Sequence, residues 1–183
     1  MPPAGETRIR KCICLTGFMG SGKTTVGRLL ARQLGWPFHD LDSQIEEHSG
    51  LTIPQIFERF GEPQFREMEY EMLARDLGQA GEQKRPAVVA LGGGTIAQPH
   101  SLALLREHQC VLIWLECPVE ELLARCATIS NRPLFRDETS FRALYEQRKP
   151  WYQQADYRVA STGDPRTVVT QLLALEIFER VSA

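Results

Sequence analysis

Residues 17 to 24 read Gly17-Phe18-Met19-Gly20-Ser21-Gly22-Lys23-Thr24, a complete GxxxxGK[ST] loop directly after the apolar run Ile13-Cys14-Leu15. Glycines let such a loop curl until successive N–H groups point inward, and the helix that follows adds the positive end of its dipole. The concavity fits the β-phosphate of a nucleoside triphosphate, with Lys23 bridging the β- and γ-phosphates and the Thr24 hydroxyl on Mg²⁺. The context is right on both sides: a β-capable run, Lys11 to Leu15, precedes the loop, and Val26, Leu29, Leu30 and Leu34 recur afterwards at helical spacing.

The loop alone does not separate hydrolysis, transfer and simple binding, so the rest of the chain has to narrow the choice. At 183 residues the chain fits a single domain over 1–183 with one hydrophobic core. Lys and Arg number 21 against 23 Asp and Glu, with no long basic block, which argues against nucleic acid as a partner. Nowhere are there about 18 consecutive apolar residues to form a membrane span, and Met1 to Lys11 lacks a secretory apolar stretch. Five cysteines, an odd number, argue for a reducing, cytoplasmic setting rather than a disulfide framework. Cys12 and Cys14 read as small buried residues of a strand, and the scattered histidines 39, 48, 100 and 108 offer no catalytic or metal pattern.

Short apolar runs alternate with helical stretches, the mark of a parallel α/β sheet with right-handed crossovers. The predicted strands are Lys11 to Leu15, Trp36 to His39 ending at Asp40, Ala87 to Leu91, Cys110 to Leu115, and a weak one at Tyr157 to Ala160. Helices are expected over Leu41 to Ser49, Thr52 to Phe60, Gly61 to Gly78, Pro118 to about Ala127, a stretch ending before Pro150, and Pro165 to Val181. Two segments exceed what the sheet requires. Residues 40–79 form a helical excursion, and the polar stretch 128–140, interrupted by Pro133, reads as a lid that closes over the reacting groups and excludes water.

Ligands of open α/β sheets collect beyond the C-terminal strand ends. Asp40 and Asp42 are therefore poised opposite Lys23 and Thr24. Asp40, at the strand end, is the metal candidate; Asp42, one step onto the next element, is the residue to align an acceptor hydroxyl. A bare capping role for the pair is the structural alternative. Glu116 reads as part of the turn into the next helix rather than a metal ligand. Gly92-Gly93-Gly94, after a buried strand, permits close backbone approach to a phosphate or a hydroxyl-rich acceptor. Arg66 in the excursion, Arg132 in the lid and Arg148 before Pro150 could together receive an anionic acceptor, because a guanidinium fork binds a carboxylate in two-point fashion.

This constellation resembles the shikimate kinase family along almost the whole chain. The matching stretches are residues 17–24, Phe38-His39-Asp40-Leu41-Asp42, Ile56-Phe57 through Gly61-Glu62 and Phe65-Arg66, Gly92-Gly93-Gly94, Arg132-Pro133-Leu134, and Arg148 with Tyr152. The resemblance implies a P-loop, nucleoside-monophosphate-kinase-like three-layer α/β fold with a central five-stranded parallel sheet, a helical substrate-binding insertion and a small lid. It implies transfer of the ATP γ-phosphoryl group to the 3-hydroxyl of shikimate, in the route to chorismate and the aromatic amino acids. On that likeness Lys23, Asp42 and Arg132 are catalytic; Gly20, Ser21, Gly22, Lys23, Thr24, Thr25, Arg125 and Arg132 bind ATP; and Thr24 and Asp40 hold Mg²⁺. Asp42, Arg66, Gly92, Gly93, Gly94 and Arg148 would hold shikimate, with Arg125 along adenine and the turn Thr162-Gly163-Asp164-Pro165 flanking the base. His39, Leu41 and Asn131 stand at positions where the pattern varies. A monomer is expected. The rival readings are a gluconate-type sugar-acid kinase and a regulatory module that binds ATP without transferring it.

Overall fold

A computed structural model describes residues 12–127 and 137–179. The described residues begin with β1 (Ile13–Thr16), the phosphate loop, α1 (Lys23–Leu34), β2 (Phe38–Asp40), α2 (Leu41–Ser49) and the long α3 (Ile53–Glu82). It continues through β3 (Val88–Ala90), a 3-10 turn at Thr95–Ala97, α4 (Pro99–Glu107), β4 (Val111–Glu116), α5 (Val119–Cys126), α6 (Glu138–Tyr152), β5 (Tyr157–Ala160), α7 (Pro165–Leu173) and α8 (Glu176–Glu179).

The strands form one five-stranded sheet in the order β2-β3-β1-β4-β5, with every neighbouring pair parallel. The chain builds β2 and β3 on one side of β1 and then crosses to the other for β4 and β5. Alternation along each strand divides the core into two faces. Cys12, Cys14, Leu112 and Trp114 point toward α2 to α6, whereas Ile13, Leu15, Ile113 and Leu115 pack with α1 and α7 residues such as Leu30 and Val168. The result is the expected three-layer P-loop kinase fold. Both faces of the central strands are covered, which is why their sequences read as unbroken apolar runs.

The helical insertion follows its local signals closely. Thr52 accepts from the Gln55 backbone N–H, while the Gln55 side chain accepts from the Thr52 N–H, a reciprocal capping box. Two helices are expected here, broken at Gly61, and the span Ile53–Glu82 is two helical pieces that meet there, Gly61 standing out of helical geometry at φ 79° and ψ 174°. That left-handed backbone, followed by Pro63, kinks α3 and re-aims its second half.

Other boundaries shift for identifiable reasons. The final helix does not run unbroken from Pro165 to Val181: α7 stops at Leu173 and a separate turn begins at Glu176. Helix α4 has no counterpart among the expected elements, although Pro99 at its first position is a start signal. Helix α6 continues through Pro150 to Tyr152 rather than ending before it. Residues 138–140, expected in the lid, already belong to α6, whose N-cap Asp137 accepts from the Ser140 N–H. Residues 128–136, including Arg132, lie outside the described residues. Cys12 and Cys14 are buried in and beside β1, as expected of small core residues, and the other three cysteines are buried as well. None of the helices among the described residues is long and apolar enough to cross a membrane.

A polar cluster ties the insertion to the sheet. Gln44 Nε2 sits 3.1 Å from both His39 Nδ1 and Asp76 Oδ1, so the start of α2, the end of β2 and the middle of α3 meet at one amide. Asp76 is 3% exposed. Burial raises its carboxyl above the ordinary range, and His39, Gln44 and Arg75 oppose that rise only in part. A carboxyl with a raised folded-state pKa contributes most stability below its unfolded value of about 4, and that contribution is lost as pH climbs through the folded value. Asp76→Asn stays neutral throughout. The variant's Tm, relative to the parent's, is therefore expected to be more favourable at about pH 7 than at about pH 4; an equal difference at both would show that burial does not dominate this carboxyl.

Candidate functional site

A cavity of about 510 Å³ opens beyond the C-terminal ends of β1, β2 and β3. Gly20, Gly22, Lys23, Thr24 and Thr25 line one end; Asp42, Arg66, Gly92, Gly93, Gly94 and Arg148 line the other, with Asp40 between them.

The phosphate loop has the backbone its sequence requires. Gly22 adopts φ 91° and forms the N-cap of α1, a position a side-chain-bearing residue rarely takes. Lys23 Nζ donates to the carbonyl oxygens of Gly17 at 2.8 Å and Phe18 at 3.1 Å, so the ammonium is held over the loop. Ser21 is buried beneath it, and its carbonyl accepts from the Ser161 hydroxyl at 2.6 Å. Arg125 donates to the Gly20 carbonyl at 3.0 Å and the Ser161 carbonyl at 3.1 Å and pairs with Glu121, which fixes the loop to the end of β5. Gly163 and Pro165 line the same end of the cavity.

Thr24 and Asp40 meet directly. The Thr24 hydroxyl donates to Asp40 Oδ2 at 2.5 Å, while Asp40 Oδ1 accepts from the Ser43 N–H at 3.2 Å. The capping and metal-facing readings of Asp40 are thus not alternatives: one oxygen ends the strand and starts α2, and the other faces the loop. Hydroxyl and carboxylate are hard oxygen donors that suit Mg²⁺, an ion that ordinarily completes its shell with water and substrate phosphates. Among the described residues no group of three or more His, Cys, Asp or Glu could hold a metal ion by itself. Glu116 ends β4 just before the turn into α5, as expected, and its side chain pairs with Arg158 of the edge strand β5.

The glycine turn explains the far end. A methyl group on Gly94 would lie 2.5 Å from Arg66 Nη2 and 2.9 Å from Arg148 Nη2, so two guanidinium groups from α3 and α6 converge on one backbone atom. On Gly92 it would lie 2.3 Å from Glu69 Oε1 and 3.3 Å from Asp42 Oδ1. These glycines are there because charged side chains occupy the space a Cβ would need.

Arg66 is less solitary than its sequence position suggests. It donates through Nη1 to Glu69 Oε2 at 2.8 Å and through Nη2 to Glu62 Oε1 at 3.1 Å. Burial disfavours its charge, but Glu69 and then Glu62 outweigh that and hold it more firmly protonated than usual. Glu69 is fully buried and its other oxygen accepts from the Thr95 hydroxyl at 2.6 Å. Glu69, Glu62 and Thr95 were not among the expected site residues. Their one sequence signal is helical spacing, Glu62 four before and Glu69 three after Arg66, which solvated helix faces show equally often. Ile53, Phe57, Phe65 and Leu91 add an apolar wall.

The arrangement joins a phosphate loop, the Thr24–Asp40 oxygen pair, the Asp42 carboxylate and two arginines within one cavity. A family model described as "Shikimate kinase" matches residues 19–177. The shikimate kinase of Moorella thermoacetica is 43% identical over 173 residues, covering 93% of this chain and 94% of the relative. That of Synechococcus elongatus is 42% identical over 170 residues, covering 91% and 86%. Among solved structures, shikimate kinase from Acinetobacter baumannii in complex with shikimate superposes with a TM-score of 0.78 at 37% identity, over 89% of this chain and 90% of that one. A gluconokinase from Sinorhizobium meliloti, at 18% identity and a TM-score of 0.61 over 96% and 95%, shares the fold alone. With a family match running from the phosphate loop to the last helical turn and close relatives covering nine-tenths of its length, the chain belongs to the shikimate kinase family.

Proposed function

We propose that this protein transfers the γ-phosphoryl group of ATP to the 3-hydroxyl of shikimate, giving shikimate 3-phosphate and ADP, a step toward chorismate and the aromatic amino acids. The observation that carries the reading is the convergence of Arg66 and Arg148 at Gly94, within the cavity that also contains Lys23 and Thr24. A ring carboxylate is the anion that two such forks, beside an apolar wall, suit best. Asp42 and the turn N–H groups would take the ring hydroxyls.

In this reading the loop N–H groups and Lys23 receive the charge of the phosphoryl group, and Arg132 would join them. Asp42 holds the attacking hydroxyl in line and accepts its hydrogen bond. Thr24 and Asp40 would hold Mg²⁺, which when bound neutralises charge on the triphosphate. Arg125, Gly163 and Pro165 would flank the base. A monomer is the expected state, and five buried cysteines, an odd number, fit a reducing cytoplasm. The gluconate alternative rests on a shared fold, and a silent ATP-binding module would have no use for the paired arginines.

Incubation with Mg-ATP and shikimate, gluconate or adenosine in turn, read as ADP together with phosphorylated product, tests the proposal. Turnover with shikimate alone is expected; gluconate as the better acceptor would replace this reading with its rival. Asp42→Asn should lower kcat/KM by about a hundredfold or more, the usual loss for one well-aimed electrostatic contact, and near-parental activity would remove Asp42 from the mechanism. Gly94→Ala forces both guanidinium groups aside. It is expected to raise the shikimate KM about tenfold or more, with the ATP KM close to the parental value; a rise in both KM values would mean that the turn serves the nucleotide as well.

A further inference from the structure

The three glycines of the turn have carbonyl groups that must each find a partner. The Gly92 carbonyl accepts from the Thr95 N–H at 3.2 Å and the Gly94 carbonyl from the Ala97 N–H at 3.2 Å, both within the 3-10 turn that follows. The middle carbonyl is taken from outside: the Tyr152 hydroxyl donates to the Gly93 oxygen at 2.5 Å. Tyr152 ends α6, four residues after Arg148, so the phenol and the guanidinium lie on one helix face.

The tyrosine is fixed from behind. It is 1% exposed, and its ring stacks on Trp114 of β4 with centroids 5.9 Å apart and planes 29° from parallel. Burial holds the phenol far above its ordinary range, with the nearby Arg148 opposing only in part, so the hydroxyl remains a neutral donor. In front of it the turn is confined on both sides. A methyl group on Gly93 would lie 3.2 Å from Arg148 Nη1 and 3.7 Å from both the Gly17 carbonyl oxygen and the Met19 nitrogen.

We infer that Tyr152 is a positioning residue for the acceptor's carboxylate: by holding the Gly93 carbonyl, it sets the gap between the glycine turn and the Arg148 guanidinium, and hence the aim of the two-arginine clamp. The inference rests on the shikimate reading of the site. Tyr152 touches neither substrate in this scheme and acts through the turn. Losing the hydroxyl leaves a buried carbonyl without its donor, and the turn relaxes to recover one. The cost falls on the acceptor because the nucleotide end of the cavity is braced separately, by Arg125 and Ser161.

Tyr152→Phe keeps the ring and its stack on Trp114 and removes the hydroxyl alone. Its kinetics are compared with the parent's, varying shikimate and ATP separately, alongside Tm and with a second acceptor in which the carboxylate of shikimate is reduced to the alcohol. The shikimate KM is expected to rise about five- to twentyfold, with the ATP KM within about twofold and kcat within about threefold. The kcat/KM for the alcohol should change less than about threefold, so the preference for the carboxylate narrows. An unchanged shikimate KM, an equal loss on both acceptors, or a lower kcat that only follows a fall in Tm would each overturn the inference and leave the shikimate reading standing. A parent enzyme inactive on shikimate overturns both.

Discussion

The buried Arg66–Glu69 pair is the interaction on which the acceptor end of this protein depends. Glu69 is fully buried and Arg66 nearly so, and burying either group without the other would be costly. Desolvating such a pair costs several kcal/mol, so it stabilises the native state weakly in net terms. Breaking it is another matter: a buried carboxylate left without its arginine costs about 3–5 kcal/mol. The Thr95 hydroxyl supplies the further bond that makes the burial tolerable. What the pair provides is direction, because Glu69 fixes one edge of the Arg66 fork while Glu62, half exposed at 49%, holds the other in an exchangeable contact.

The same logic governs the nucleotide end. Asp40 is a strand terminus, a helix cap and an acceptor for Thr24 at once, so the position of its oxygens is set by the fold before any ligand arrives. Electrostatic catalysis gains most from groups that need not reorganise during the reaction. Here the preorganisation is backbone-based at both ends: a left-handed Gly22 shapes one, and glycines that lack a Cβ admit charged side chains to the other.

Much of this was legible from residues 12–127 and 137–179 as a string. The phosphate loop is a local backbone structure encoded by its own residues, and the central strands are recognisable because both faces are buried. Leu41–Ser49 could be delimited because its cap residues adjoin it in sequence. The pairing of Arg66 with Glu69, by contrast, depends on α3 lying against the 3-10 turn, a tertiary fact that helical spacing alone does not reveal. The boundaries of α6 and α4 were obscured by proline, which reads as a stop at Pro150 and yet lies within the helix there, and marks a start at Pro99. The Gln44 amide that joins His39 to Asp76 was equally invisible, since its partner lies 32 residues away.

The glycine turn also determines how the two halves of the cavity relate. A methyl group on Gly93 would lie 3.7 Å from the Gly17 carbonyl oxygen and the Met19 nitrogen, so the glycine turn lies beside the start of the phosphate loop. The two follow parallel strands β1 and β3, which hydrogen-bond to each other, with Leu91 donating to the Leu15 carbonyl at 3.0 Å. In-line phosphoryl transfer is sensitive to misplacement of about 1 Å. Seating the phosphate loop and the glycine turn at the ends of adjacent strands of one sheet fixes their spacing in the fold.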